Sequence, residues 1–399
     1  MLKKTLWNTG SMGLPLHKSN PNIMSHSPIC IVGAGISGLV LGRCLLALGV
    51  QATLFEKNKA DQVRNTYGIT LHSKSYHQLL TYLGIEESTF RKTLAVDTAN
   101  NGTGILGKIN DYHSFRANRS RFEKMLSEGL DIRYYHQLES INSPADSSTN
   151  SSGDLIIRFT NGSDWKADVL IGADGVHSKV RPFIAPETSR KVLPYVVYNG
   201  KRRIPRNEFN SKLQEYFQDN NTLRTRIHRT VFQISIDDYS DEKVSISYTY
   251  SRPAMATQDP LYNPDRSNSE AKDIPEALYE EIDTQQLEEP YRTIFDTAEM
   301  RKGRMLNWLM RSMQCEPLVL EQACKRRVIL MGEAAHAEPI LGGNGANEAI
   351  EDGMALAMVL ADKEELVQYY KMRSEDWTAG YSASEQRISE MHSGSRPNM

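Results

Sequence analysis

Ile29-Cys30-Ile31-Val32-Gly33-Ala34-Gly35-Ile36-Ser37-Gly38 is the stretch on which the fold turns. An unbroken apolar run ends in a Gly-x-Gly-x-x-Gly turn, and apolar residues then resume at helical spacing. The segment therefore predicts a buried parallel strand, a tight turn and a helix. Each glycine has its own task. Gly33 permits the turn, Gly35 lets backbone N–H groups approach a pyrophosphate, and Gly38 lets helix and strand pack closely. The helix N-terminus adds partial positive charge. Downstream, Gln51–Phe55 reads as a second strand ending in Glu56, where a carboxylate accepts hydrogen bonds from adenosine ribose hydroxyls and disfavours a 2′-phosphate. Gly42 extends the close packing and leans this dinucleotide reading towards FAD.

Two later segments repeat the theme of strand, turn and helix start. Val169-Leu170-Ile171-Gly172-Ala173-Asp174-Gly175-Val176-His177-Ser178-Lys179-Val180-Arg181 delivers Asp174 at the end of an apolar run; taken alone, Asp174 reads equally well as a helix cap. The third segment runs from Val328 through Gly332-Glu333 and the loop Leu341-Gly342-Gly343-Asn344-Gly345-Ala346-Asn347 into an apolar helix. A strand again delivers a carboxylate, and the free N–H groups opening that helix suit an anion such as the N1 and C2 oxygen of a reduced flavin.

If the three strands share one sheet, the domain that contains them is discontinuous. The division expected is an extension at 1–24, a first cofactor-domain part at 25–185, a substrate domain at 186–300, and a second cofactor-domain part with C-terminal helices at 301–399. Lys191–Tyr198, Thr230–Ile236 and Val244–Tyr250 carry the β-branched and aromatic residues of strands in the middle region. Asn142–Gly153 and Ser251–Lys272 read as surface loops. Glu348–Leu360 and Leu366–Ile388 read as helices. Residues 1–23 read as a disordered extension or a gene-model artefact, with Met24 as the alternative start.

The chain has 399 residues and a formal net charge of −2, which gives no electrostatic reason to expect nucleic acid or an anionic membrane as partner. The four cysteines form no Cys-x-x-Cys pair and no disulfide framework, so a reducing, cytoplasmic setting is expected. No apolar run is long enough for a transmembrane segment. Asn118-Arg119-Ser120 and Asn150-Ser151-Ser152 match the glycosylation triplet but are read as unused. The histidines lack metal-ligand spacing, so no metal site is expected, and His336 is read as a packing residue rather than an acid or base.

Together the three segments resemble the class A, single-component flavoprotein monooxygenases, the family of para-hydroxybenzoate and salicylate hydroxylases, and within it the fungal secondary-metabolism type. The resemblance runs from about residue 28 to the C-terminus. It implies an α/β fold: a discontinuous Rossmann-like FAD-binding domain of the glutathione-reductase kind, an inserted mixed β-sheet substrate domain and C-terminal helices. It also implies cofactor contacts from Gly33, Gly35, Gly38, Glu56, Gly68 in Tyr67-Gly68-Ile69, Arg119 in Arg119-Ser120-Arg121-Phe122, Asp174, Glu333, Gly345, Ala346 and Asn347. Two positions depart from the family pattern. Its usual Gly-Asp pair is Gly332-Glu333 here, one methylene longer, and Ile340 stands where a second proline often follows Pro339.

What the resemblance implies for activity is a flavoprotein hydroxylase that takes electrons from NAD(P)H, forms a flavin C4a-hydroperoxide with O₂, and hydroxylates a small aromatic or enolic, polyketide-like molecule, as a monomer or homodimer. Tyr198 and Arg202 are the expected catalytic residues that favour a phenolate, with Arg203 and Tyr248 as further candidates. An epoxidase, a Baeyer-Villiger-type oxygenase and a flavin-binding protein without turnover remain the alternatives.

Overall fold

The fold was obtained as a computed structural model, and it describes residues 25–60, 67–107, 113–143, 155–255 and 258–393. The expectation for the N-terminal extension lies outside the described residues, as do Asn150 and most of the loop expected at 142–153. Three apolar runs do lie side by side in one seven-stranded sheet. Ser25–Val32 pairs in parallel with Thr53–Phe55 on one side and with Asp164–Gly172 on the other. Val328–Leu330 pairs in parallel with the upper part of Asp164–Gly172, and Leu155–Phe159 runs antiparallel along its lower part. Asp131–Arg133 and Leu138–Asn142 form the two edges.

Register matters more here than strand count. Val32 is level with Phe55 and with Gly172, and Gly172 is level with Leu330. Every turn singled out in the sequence therefore leaves the sheet at the same carboxyl edge, where ligands of open α/β sheets bind. The strands are continuous apolar runs because both faces are covered. Ile36–Ala47 covers one stretch of the sheet, and Gly345–Ala361 packs against that helix. Gly353 makes this approach possible, since a Cβ there would stand 2.7 Å from Val40 Cγ1. Val367–Ser393 is one unbroken 27-residue helix behind them, burying Tyr369, Tyr370 and Trp377.

Between Gly172 and Val328 the chain builds a five-stranded sheet, antiparallel throughout: Thr222–Ile227, Thr230–Tyr239, Lys243–Pro253, Tyr195–Pro205 and Met305–Asn307 in spatial order. One correction concerns the loop expected from Ser251. The strand continues to Pro253, with Ser251 and Arg252 buried.

Alternation gives this sheet two unlike faces. Val196, Tyr198, Phe232, Ile234, Ile236, Ile246, Tyr248 and Tyr250 form one apolar core with Leu278, Ile282, Ile294 and Phe295 from the covering helices. The residues between them, Asn199, Lys201, Gln233, Ser235, Asp237, Ser247 and Thr249, with Thr222 and Arg224 by register, point the other way. On that polar side the Thr230–Tyr239 strand meets the strands Gly68–His72 and Ser114–Asn118 and the last helix. No helix among the described residues is long and apolar enough to cross a membrane.

Candidate functional site

The first turn is held shut from three sides. Gly33 N donates to Phe55 O at 2.8 Å, Ala173 N donates to Val32 O at 2.8 Å, and Ala34 N donates to Glu56 Oε2 at 3.0 Å. Gly33 sits at φ +110°, and a Cβ there would lie 2.4 Å from the Ala173 carbonyl oxygen. Only glycine fits. Gly38 is equally confined, against the Gly33 carbonyl oxygen at 2.1 Å. Gly35, the N-cap of the first helix, is the opposite case: extended backbone, no side-chain cap, and among the described residues nothing within 4 Å of where a Cβ would be. The open space lies at a helix N-terminus, where N–H groups await an acceptor.

Glu56 is buried and already works locally. Besides Ala34 N, its carboxylate accepts from Asn58 N at 3.0 Å and Asn58 Nδ2 at 2.7 Å.

At the second turn Asp174 Oδ2 accepts from Lys179 N at 2.6 Å, which is the capping role, while its Oδ1 is buried with no partner among the described residues. Desolvation pushes this carboxyl above its ordinary range, against the pull of hydrogen bonds from Ser178, Lys179 and Val180. Beyond Gly175 lies a cationic rim. Arg190 Nη1 stands 3.0 Å from His177 Nδ1, and desolvation together with Arg190, Arg311, Lys57 and Arg181 holds His177 below its usual value.

The third turn completes the edge. Met331 N donates to Gly172 O at 3.0 Å, and the exposed Glu333 carboxylate lies between the two glycines flanking it, 3.8 Å from the Cβ position of Gly175 and 3.8 Å from that of Gly345. The extra methylene of Glu333 is thus accommodated in open space.

What fixes this turn was missed in the sequence. Asp352, fully buried, accepts from Gly332 N at 2.9 Å, Arg373 Nε at 2.9 Å and Trp377 Nε1 at 2.8 Å, and meets His336 Nε2 at 2.7 Å. Desolvation alone would raise its pKa; His336 and Arg373 more than offset this and hold it far below the usual carboxylate range. His336 also stacks on Trp377 with ring centroids 4.3 Å apart, the packing role expected of it.

Asn347 is occupied too. Its Nδ2 donates to Thr70 O at 3.1 Å and its Oδ1 accepts from His72 N at 2.9 Å, tying the helix start to the Gly68–His72 strand. Gly345 and Ala346 open the helix beside it. Gly68 N donates in turn to Asp237 Oδ1 of the second sheet at 2.8 Å. Arg119 opens a helix capped by Asn118, bonding Glu123 Oε1 at 2.9 Å and the Tyr67 hydroxyl. Asn118, 2% exposed and engaged by Arg121 N, is no glycan acceptor.

Residues 26–366 match the family described as FAD binding domain. The chain belongs to that family. Among relatives of this FAD-binding protein, the FAD-dependent monooxygenase adaC of Aspergillus niger is 32% identical over 361 residues, covering 84% of this chain and 85% of that one. The FAD-dependent monooxygenase aptC of Emericella nidulans is 31% identical over 360 residues, covering 84% and 85%. The fold is shared with 2,6-dihydroxypyridine-3-hydroxylase from Arthrobacter nicotinovorans, at TM-score 0.68, 17% identity and 94% coverage of both chains. It is also shared with Klebsiella pneumoniae HpxO complexed with FAD and uric acid, at TM-score 0.64 and 14% identity, covering 93% of this chain and 90% of that one.

The features left open at the carboxyl edge suit FAD: the space at Gly35, the orphaned Asp174 Oδ1, and the Glu333 carboxylate beside a helix start.

The residues expected to activate the substrate are elsewhere. Tyr198 and Tyr248 belong to the apolar core beneath the second sheet, with Tyr198 hydroxyl donating to Leu261 O at 3.2 Å. Arg202 Nη1 donates to Thr293 O at 2.6 Å, among the covering helices. All three face away from the flavin-binding turns because even-numbered positions of these strands are the apolar ones. Arg203 lies on the other face, paired with Ser245. Gln233, Ser235, Thr249 and Asn199 were overlooked, although the alternation Ile246-Ser247-Tyr248-Thr249-Tyr250 signalled which side was polar.

Proposed function

We propose that the protein is an FAD-dependent monooxygenase that takes electrons from NAD(P)H and transfers one atom of O₂ to a small aromatic or enolic substrate. One observation carries this reading: three turns with family-type residues meet at one sheet edge, and a second sheet turns a polar face towards the same region. FAD, when bound, supplies the redox chemistry and O₂ activation. The protein's own residues bind, orient and exclude water.

In this reading Gly33, Gly35 and Gly38 shape the pyrophosphate turn and Glu56 takes the ribose. Asp174 Oδ1 and Glu333 accept from the remaining hydroxyls, and the N–H groups at Gly345 and Ala346 stabilise negative charge. Asn347 and Arg119 act by holding their neighbours in place rather than by direct contact. Arg190 and Arg311, the cations around His177, supply a surface for the phosphates of a transient nucleotide co-substrate.

The polar face is the substrate wall. Asn199 Nδ2 donates to Thr249 Oγ1 at 3.0 Å, and Thr222 and Ser235 hydroxyls meet at 3.1 Å, so hydroxyl and amide groups stand ready for an oxygen-rich ring system. Its apolar reverse face, closed by helices, keeps water from entering from behind.

The test is oxygen-isotope labelling. FAD-loaded protein is given NADPH, ¹⁸O₂ and a panel of polyketide-like phenols. The expected result is substrate-dependent NADPH oxidation with one labelled atom in the product. Oxidation that yields only hydrogen peroxide with every phenol overturns it.

A further inference from the structure

The order of the first sheet sets the direction in which a dinucleotide runs along its carboxyl edge. Asp131–Arg133, Thr53–Phe55 and Ser25–Val32 are successive neighbours. The pyrophosphate turn leaves Ser25–Val32 at Gly33, and the ribose carboxylate, Glu56, leaves Thr53–Phe55. A base carried on that ribose continues the same line, towards the chain that leaves Asp131–Arg133.

That chain is Tyr134-Tyr135-His136, and it is bonded directly to the Glu56 segment. Glu56 N donates to Arg133 O at 2.8 Å, His136 N to Glu56 O at 2.9 Å, and Tyr135 N to Asn58 O at 3.2 Å. Asn58 in turn donates to the Glu56 carboxylate. His136 faces inwards, its ring centroid 5.4 Å from that of Phe55 and 5.1 Å from that of Phe159. Tyr135 does not. It remains 55% exposed, with the Lys59 ammonium over its ring, 5.7 Å from the centroid.

The backbone of Tyr135 is a second, independent observation. It sits at φ +61°, in the left-handed region that glycine and asparagine fill readily and a bulky residue does not. The conformation is imposed from both sides: Asn58 O holds the amide, and the Tyr135 carbonyl accepts from Asn161 Nδ2 at 3.0 Å. A large ring held in a strained conformation and left in solvent costs the FAD-free protein stability without burying the ring. Strained positions of this kind cluster at ligand clamps.

We propose that Tyr135 stacks on the adenine ring of FAD and sets cofactor affinity at the end remote from the reacting ring. Lys59 backs one face of the phenol, which leaves the other face for the base. Stacking removes the exposed ring from water together with one face of the adenine. The assignment goes beyond the monooxygenase reading and needs only that FAD binds.

The experiment titrates FAD-free protein with FAD, following flavin fluorescence, and records thermal unfolding before FAD is added. Tyr135→Asn, which suits the left-handed backbone, should weaken FAD roughly fivefold to a hundredfold, the range of an aromatic–base stack. The FAD-free variant should unfold at a temperature no lower than that of the unaltered protein. Tyr135→Phe should bind FAD as the unaltered protein does, since the ring and not the hydroxyl makes the contact. At saturating FAD the visible absorption of Tyr135→Asn should match that of the unaltered protein, because the isoalloxazine lies at the other end of the cofactor. Four results overturn the proposal: undiminished FAD affinity in Tyr135→Asn, a lower unfolding temperature of that variant without FAD, an altered visible band at saturation, or Tyr135→Phe as weak as Tyr135→Asn. Failure of the monooxygenase reading would look different, as protein that binds FAD by these measures and inserts no oxygen.

Discussion

Gly33 and Gly35 stand two residues apart in one turn, yet their substitution should have opposite consequences. At Gly33 any side chain meets backbone: the Cβ would lie 2.4 Å from Ala173 O and 2.8 Å from Asp174 Cα, at φ +110°. A forbidden backbone region costs about 1–3 kcal/mol and overpacking a further 1–3, so Gly33→Ala should lose about 2–6 kcal/mol of folding stability. At Gly35 the backbone is extended and the Cβ position is empty, so Gly35→Val should lose only about 1 kcal/mol, from its poorer N-cap. What it should lose is FAD. A valine filling the space before the helix N–H groups removes one or two charge-assisted hydrogen bonds of about 1.5–3 kcal/mol each, or at least roughly tenfold in affinity. Thermal unfolding of the FAD-free proteins, repeated with added FAD, separates the two effects, since a ligand raises the midpoint only as far as it binds. The reasoning is refuted if FAD-free Gly35→Val unfolds as easily as Gly33→Ala, or if it keeps the full FAD-induced shift.

Two further outcomes follow from buried groups. Burial, with Asp352 and Glu351 adding to it and Arg373 opposing, raises the Glu348 carboxyl to about 7. Its folded pKa exceeds its unfolded one, so its contribution is fully present below about 4.5 and declines as pH rises to about 7, by about 3 kcal/mol at most; Glu348→Gln should flatten that slope in unfolding midpoints measured across this window. Tyr198→Phe, which removes the hydroxyl's bonds to Leu261 O and to the Asn307 side chain, should cost about 1–2 kcal/mol of stability and leave oxygen insertion per NADPH unchanged; a fall in coupling would return Tyr198 to the catalytic face.

Strands buried on both faces were readable because they are continuous apolar runs, and their glycine turns were readable because backbone geometry there admits little else. Val32, Gly172 and Leu330 announced the cofactor edge in this way. Side-chain direction in the second sheet was legible as well, but chemistry distracted from it: a phenol at Tyr248 invites a catalytic role, whereas its neighbours Ile246 and Tyr250 already placed it on the apolar side. Contacts of long sequence separation were not legible. Nothing local to Asn347 says that its amide will bridge Thr70 and His72, and nothing near Gly332 names Asp352 and Arg373 as its support.

Those distant contacts explain why the carboxyl edge can afford to leave groups unsatisfied. Asp352 clamps the Gly332 turn to the last helix, Asn347 clamps the helix start to the Gly68–His72 strand, and Asp237 clamps that strand to the second sheet. Each clamp uses a buried, fully engaged polar side chain, which is strong where water is excluded and specific in direction. With the frame fixed from behind, the orphaned Asp174 Oδ1, the Glu333 carboxylate and the uncapped helix start at Gly35 need no protein partners to stay in place. A site whose open valences are held rigid by other residues binds without first reorganising. Stability and affinity therefore reside in different side chains, and for that reason substitutions at Gly35 and at Asp352 should separate them.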